Sequence, residues 1–272
     1  MKNWFFPLSA IIGICLCFCC KTKPVNYGDN TAEGKFYDIR GVKMYCEIYG
    51  SGTPLLMIHG NGGSIKSFKS NIPFFAKKYK VIVLDSRAQG KTKDGSDSLS
   101  FEMMADDEAA LLDELHIDAA YVIGWSDGGI NALLLAMRHP EKVISLAATG
   151  ANIWPDSTAF DPNFWRDEKK DYDSLKDIQP NTPEEKNDRK LFMLDWEQPH
   201  ISLQSLGSIK SHALIICGDH DLISTEHTKL IAQNIPHGEL WIVPNSGHAT
   251  LKEHKDEFNE KVDQFFSKSA KK

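Results

Sequence analysis

The stretch Gly124-Trp125-Ser126-Asp127-Gly128-Gly129 holds the residues of this sequence best suited to chemistry. A serine hydroxyl is a poor nucleophile near neutral pH. It needs a general base within hydrogen-bond reach, and the base needs an acid that fixes its tautomer. Both partners are available later in the chain. Pro244-Asn245-Ser246-Gly247-His248 supplies His248 as the base, and Gly218-Asp219-His220-Asp221 supplies two acids. Asp221 is assigned as the orienting acid, while Asp219, closer to the preceding apolar run, caps the loop. His220 and His227 are alternative bases, but neither follows the last strand-like run. The oxyanion formed by such an attack needs N–H donors. The Asp127 amide is one candidate. Asn61, in His59-Gly60-Asn61-Gly62-Gly63, is the other, because small neighbours let backbone approach a substrate closely.

These residues are useful only if particular elements position them. Residues 120–123 are apolar and read as a strand, and residues 130–139 read as a helix, so Ser126 falls at a strand-to-helix turn, the context of a nucleophile elbow. Gly124 and Gly128 leave room for that turn, and helix N-termini present N–H groups that can hold an anion. Residues 54–58, 81–84, 143–148, 213–217 and 239–243 are further short apolar runs of the kind buried on both faces of a parallel sheet. Residues 36–40 and 42–49 predict an antiparallel hairpin turning near Gly41. Helices are expected over 101–115, 224–234 and 252–266. Residues 64–78 are amphipathic and interrupted by Pro73. Strands alternating with helices predict a mostly parallel twisted sheet with helices on both faces.

Residues 151–208 break this alternation. They hold two helix-like stretches, 161–176 and 183–196, and read as a small helical cap inserted between a core of residues 35–150 and its continuation, 209–272. Trp125, Trp154, Trp165 and Trp196 are candidates to line the pocket beneath it, with Trp125 and Trp154 taken as substrate-binding.

With 272 residues and 42% hydrophobic content, the chain can build one large core. A net charge of −6 gives no electrostatic support to a nucleic-acid partner. Of six cysteines, four crowd the first twenty residues, leaving Cys46 and Cys217 in strand-like stretches, where they read as small buried hydrophobes. No metal-ligand spacing, phosphate loop or dinucleotide fingerprint occurs, so no metal or cofactor is implied. Residues 1–20 have a basic start and a short apolar run, as in a secretory signal. The cysteines at the end of that run resemble a bacterial lipoprotein signal, with Cys19 or Cys20 as the lipidated residue; an uncleaved anchor helix is the alternative. Residues 21–34 read as a flexible tether. The expectation is an exported protein, membrane-tethered or periplasmic/extracellular, which meets the membrane only through this segment.

Taken together, His-Gly-x-x-Gly at 59–63, Asp-x-Arg-x-x-Gly at 85–90, Gly-x-Ser-x-Gly at 124–128, Gly-x-x-Asp at 218–221 and Gly-His at 247–248 resemble an α/β-hydrolase-fold enzyme over residues 36–266. Gly-Trp-Ser-Asp-Gly-Gly followed by Ile-Asn-Ala-Leu, with the stretch 147–152, resembles the biphenyl-hydrolase-like (valacyclovirase) group. That resemblance implies that Asp127 contacts the ammonium of an amino-acid ester. The competing role for Asp127 is simple stabilisation at the helix N-terminus. Ala88 stands where the family's Asp-x-Arg loop has glycine. The expected activity is a serine esterase acting on a small acyl substrate. The alternatives are C–C bond hydrolysis or perhydrolysis on the same triad, and a non-catalytic small-molecule receptor.

Overall fold

The computed structural model describes residues 25–269. Eight strands form one sheet: β1 Gly34–Ile39, β2 Val42–Tyr49, β3 Thr53–Ile58, β4 Tyr79–Leu84, β5 Ala120–Trp125, β6 Val143–Thr149, β7 His212–Gly218 and β8 Gly238–Val243. The helices are α1 Ile72–Phe75, α2 Phe101–Glu114, α3 Asp127–Arg138, α4 Pro162–Leu175, α5 Pro183–Glu197, α6 Leu203–Leu206, α7 Thr225–Asn234, α8 Thr250–Glu253 and α9 Lys255–Ser269. The strand order is β1-β2-β4-β3-β5-β6-β7-β8. β2 runs antiparallel to both β1 and β4, and β3 to β8 are mutually parallel. The β1–β2 hairpin closes through Arg40 and Gly41, both at positive φ (43° and 90°), the turn whose twist matches that of the strands.

Strand periodicity separates two cores. Leu56, Ile58, Ile82, Leu84 and Val122 face a cluster built with α2, α3 and α7. Their neighbours Leu55, Met57, Val81, Val83 and Ile123 face the cluster of Phe68, Phe75, Phe258 and Phe266, from the segment after β3 and from α9. Helices therefore cover both faces, and every parallel strand delivers its C-terminal loop to the same edge.

Two polar ties set that edge. The Asp85 carboxylate accepts from Ile65 N (2.8 Å) and Lys91 N (2.8 Å). Arg87, nearly buried, forks onto Asp107 at 2.6 and 3.0 Å and reaches Asp94 at 3.5 Å. The Asp-x-Arg motif is thus architectural. Ala88 holds φ 66°, a left-handed conformation where glycine is the easier residue, so the departure at this position carries local strain.

Several segments differ from the expectation. Residues 64–78 form a 3-10 turn, Ile65–Phe68, and the short α1, because Pro73 blocks a continuous helix; Ile65, Phe68, Ile72 and Phe75 are still buried. The last helix divides at His254, whose φ and ψ (−116° and 42°) are not helical, into α8 and α9. Residues 25–34 are no tether. The buried Glu47 carboxylate accepts from Gly28 N (2.8 Å), Asn30 N (2.9 Å), Tyr45 OH (2.8 Å) and Tyr49 OH (2.7 Å), while Asp29 pairs with Lys66 and Lys91. A buried carboxylate needs such donors, and the chain ahead of β1 supplies two of them. The lipidation candidates Cys19 and Cys20 lie outside the described residues. Among the described residues no helix is long and apolar enough to cross a membrane. Cys46 and Cys217 are free and buried.

Between β6 and β7 the chain leaves the sheet to form α4 and α5 above its C-terminal edge. Asp161 caps α4, and Thr182 with Glu185 forms a capping box on α5. Leu191 and Leu194 anchor α5 in the core below, and Asn187 Nδ2 donates to the Ala88 carbonyl at 2.8 Å.

Candidate active site

Ser126 lies between β5 and α3 with φ 58° and ψ −121°. This is a strained backbone for a residue with a Cβ, and it persists because the surroundings over-determine it. Ser126 N donates to Thr149 O at 2.8 Å on β6. A Cβ on Gly124 would lie 2.0 Å from Gly128 O, and one on Gly128 would lie 2.0 Å from Ile58 O. Both motif glycines are therefore required for backbone to pass backbone at the turn.

Beside the serine stands an aligned relay. His248 Nε2 is 3.0 Å from Ser126 Oγ, and His248 Nδ1 is 2.7 Å from Asp221 Oδ1. Asp221 accepts from Nδ1–H, which leaves Nε2 free to accept the serine proton. The Asp221 side chain is fully buried, and Ile223 N donates to Oδ1 at 3.1 Å. From beneath, Trp125 Nε1 donates to the His248 carbonyl at 2.9 Å. Gly150, at φ 65°, packs flat against the ring: a Cβ there would lie 2.7 Å from His248 Cε1. Asp219 is occupied elsewhere, accepting from Ser246 N at 3.1 Å.

The alternative bases are not brought to Ser126. The His220 side chain is exposed and pairs with Asp219. His227 is buried, accepts from Ile153 N at 3.0 Å, and is held down to about 4 by desolvation. His59 is structural as well. Its Nε2 accepts from Ser86 N at 3.0 Å, its Nδ1 faces Gly60 O at 2.7 Å, and burial lowers its pKa.

The loop after β3 crosses Ser126 so closely that a Cβ on Gly60 would lie 2.8 Å from Ser126 Cβ. This brings Asn61 alongside, and its side chain donates to Leu191 O of α5 at 3.1 Å. Asp127 is the first residue of α3, so its N–H has no intrahelical partner.

A cavity of about 130 Å³ opens on Ser126 and His248. Its aromatic wall comes from the cap: Phe160, Phe164, Trp165 and Trp196. Trp165 and Trp196 stack at 5.0 Å with 7° between planes, and Tyr172 stacks on Trp196 at 4.3 Å. Trp125 and Trp154 do not line this cavity. The Trp125 indole N–H is spent on the His248 carbonyl and its ring carries Lys252, whereas Trp154 packs edge-on to His227 and donates to Thr158. A larger cavity, about 640 Å³ between α5 and residues 94–99, contains none of the three relay residues and lies apart from this chemistry.

Three carboxyl groups share the cavity: Asp127, Asp195 of α5 and Glu168 of α4. Desolvation raises Asp127 to about 6, opposed by hydrogen bonding to Asp195 and Asn61. Desolvation on its cavity side and the nearby Asp127 raise Asp195, although the residue as a whole stays exposed to solvent. Glu168 is raised by desolvation. The sequence reasoning found Asp127 but missed Asp195, Glu168 and Gly150. The two cap acids sit within acidic helices that read as solvated faces, and Gly150 carries no motif beyond its place just after β6.

A six-stranded parallel sheet with an antiparallel β1–β2 edge, a strained serine at the β5–α3 turn and an aligned Ser-His-Asp relay give this chain the α/β-hydrolase fold. The family described as alpha/beta hydrolase fold matches residues 53–174. Serine hydrolase BPHL of Mus musculus is 26% identical over 84% of this chain and 84% of its own. The 2-hydroxymuconate semialdehyde hydrolase of a Pseudomonas species is 27% identical over 90% of this chain and 98% of its own. A solved N-acyl homoserine lactone degrading enzyme superposes with a TM-score of 0.66 at 26% identity, over 83% of this chain and 98% of that one.

Proposed function

We propose that the protein is a serine esterase that cleaves a small acyl substrate through an acyl-enzyme. The observation that carries this reading is the unbroken relay from Asp221 Oδ1 through His248 to Ser126 Oγ. Ser126 Oγ attacks the acyl carbon as His248 Nε2 takes its proton. The N–H groups of Asn61 and Asp127 receive the oxyanion. His248 then protonates the leaving alkoxide and activates the water that releases the acid. The small cavity beneath the cap suits a compact acyl group, and the resemblance in the elbow favours one bearing an ammonium at Asp127.

C–C bond hydrolysis is the competing reading, since meta-cleavage hydrolases are among the relatives. The dienoate named for one of them ends in a carboxylate. Such a group would meet Asp127, Asp195 and Glu168 here, and like charges in a poorly solvated site repel strongly. The test is turnover of a phenyl ester, an acyl homoserine lactone and a meta-cleavage dienoate by the same sample. Ester turnover with an initial burst of phenol supports the proposal; turnover of the dienoate alone overturns it.

We further propose that the protein is exported and tethered through the apolar run within residues 1–20. Palmitate labelling in a bacterial expression host would be abolished by Cys19→Ser or Cys20→Ser; labelling that survives both substitutions contradicts lipidation there.

A further inference from the structure

Ser126 and His248 reach each other from separate parts of the sheet. Ser126 follows β5 and His248 follows β8, with β6 and β7 between them. β8 is an edge strand paired on one side alone, and residues 244–249 beyond it form a loop. A reacting pair must be placed to within about 0.5 Å, which strand pairing over such a span does not secure by itself. The loop's own bonds fix its shape. Ser246 N donates to Asp219 at 3.1 Å, Ser246 O accepts from His220 N at 2.9 Å, and Gly247 N donates to the Glu253 carboxylate at 2.7 Å. None of these touches the Ser126 turn. Two bridges do. Trp125, the residue before Ser126, donates its indole N–H to the His248 carbonyl at 2.9 Å. Lys252 Nζ sits 4.0 Å over the same ring, so the indole is held by two residues of the histidine segment. The second bridge runs through Thr149. Its carbonyl accepts from Ser126 N at 2.8 Å, and its hydroxyl shares a 2.7 Å hydrogen bond with that of Thr250, just past His248. Both threonines are fully buried, so their hydroxyls satisfy each other away from water. Neither bridge lines the cavity.

We infer that Trp125 and the Thr149–Thr250 pair are positioning residues, which lock the Ser126 turn and the His248 loop into one unit and so hold Nε2 at 3.0 Å from Oγ. This rests on the esterase reading and adds to it what keeps the reacting pair in register. Both bridges act on backbone beside the reacting groups, and no proton or bond of the substrate passes through them. They attach at different points, so loss of one leaves the other in place. A misplacement of ~1 Å costs on the order of 100-fold, and a drift of about half that costs about tenfold. His248 serves both formation and breakdown of the acyl-enzyme, while the cavity wall is untouched. The loss therefore falls on kcat and leaves KM unchanged.

The test cuts each bridge separately. Trp125→Phe removes the indole donor and keeps an aromatic face for Lys252. Thr149→Val combined with Thr250→Val removes both hydroxyls together, a change nearly neutral for stability because neither partner is left unsatisfied. With phenyl butyrate, each variant is expected to lose about tenfold in kcat at unchanged KM, and the triple variant about 100-fold. Ser145→Ala is the control. It deletes another hydroxyl tie between neighbouring segments, to His212 O at 2.8 Å near the opposite edge of the sheet, and should keep kcat within about twofold. A spectroscopic readout needs no turnover. With the histidine nitrogens isotopically labelled, the His248 Nε2 resonance moves in each variant toward its position in Ser126→Ala, where the serine hydrogen bond is gone. Unchanged kcat and resonance in the folded variants overturn the inference, as does a loss that appears in KM or equally in Ser145→Ala. The threonine pair carries the test if Trp125→Phe does not fold. A wild-type protein that turns over no ester would instead overturn the esterase reading, while the resonance still decides the placement, so the two failures are distinguishable.

Discussion

Gly150→Ala tests how tightly the fold holds the His248 imidazole. In the native protein a Cβ at this position would lie 2.7 Å from His248 Cε1 and 2.9 Å from Nδ1. Ordinary van der Waals contact begins near 3.4 Å, so the ring must retreat by roughly 0.7 Å. It has little freedom to do so, being held at 2.7 Å by Asp221 and at 3.0 Å by Ser126, with its carbonyl tied to Trp125. A misplacement of ~1 Å in a catalytic constellation costs on the order of 100-fold. The alanine must also adopt φ 65°, at a cost of about 1–2 kcal/mol. The expectation is a fall of about 100-fold in kcat/KM for phenyl butyrate, an equal slowing of fluorophosphonate labelling at Ser126, and a midpoint lowered by roughly 2–8 °C. Gly95→Ala is the control, since a Cβ there meets nothing within 4 Å. Activity within threefold of wild type in folded Gly150→Ala would refute the claim that this glycine fixes the histidine.

Three further outcomes follow from buried charge. Arg87→Met should lower stability by about 3–5 kcal/mol in urea unfolding, because Asp107 and Asp94 lose their buried partner; a change below 1 kcal/mol would contradict the architectural role given to the Asp-x-Arg motif. Glu108 is fully buried in α2 and raised well above the carboxylate range by desolvation, so it folds protonated. Its contribution is complete below the unfolded value near 4.3 and is lost as pH rises toward its folded value, by about 1.4 kcal/mol per pH unit. Glu108→Gln should therefore flatten the pH dependence of stability, and parallel curves for the two proteins would count against that assignment. Asp221→Asn should cut kcat by on the order of 10⁴-fold, since the wrong imidazole tautomer then faces Ser126; retention of a tenth of the activity would return Asp219 to consideration.

The sheet and the relay were legible because each rests on a local constraint with a fixed place in the chain. A serine between glycines after an apolar run must sit on a sharp turn, and a histidine after the last strand must reach the same sheet edge. Asp195 had no comparable signal. It lies four residues after Leu191 on α5, and only the packing of Leu191 and Leu194 turns that face of the helix downward onto Asp127. The tryptophans show the same limit. Of the four candidate tryptophans, Trp165 and Trp196 line the cavity, brought there by tertiary packing of the cap, whereas Trp125 and Trp154, which adjoin motif residues in sequence, do not. The segment ahead of β1 was misread because Gly, Asn and Asp signal a loop equally well when their N–H groups are free and when a buried Glu47 collects them.

The most direct test of the central claim is covalent labelling by a fluorophosphonate. A single adduct at Ser126, absent from Ser126→Ala and slowed at least 1,000-fold in His248→Ala, is the predicted result, since an unassisted serine reacts negligibly near neutral pH. A folded wild-type protein that stays unlabelled where a known serine hydrolase reacts fully, or one labelled equally well in Ser126→Ala, would contradict it.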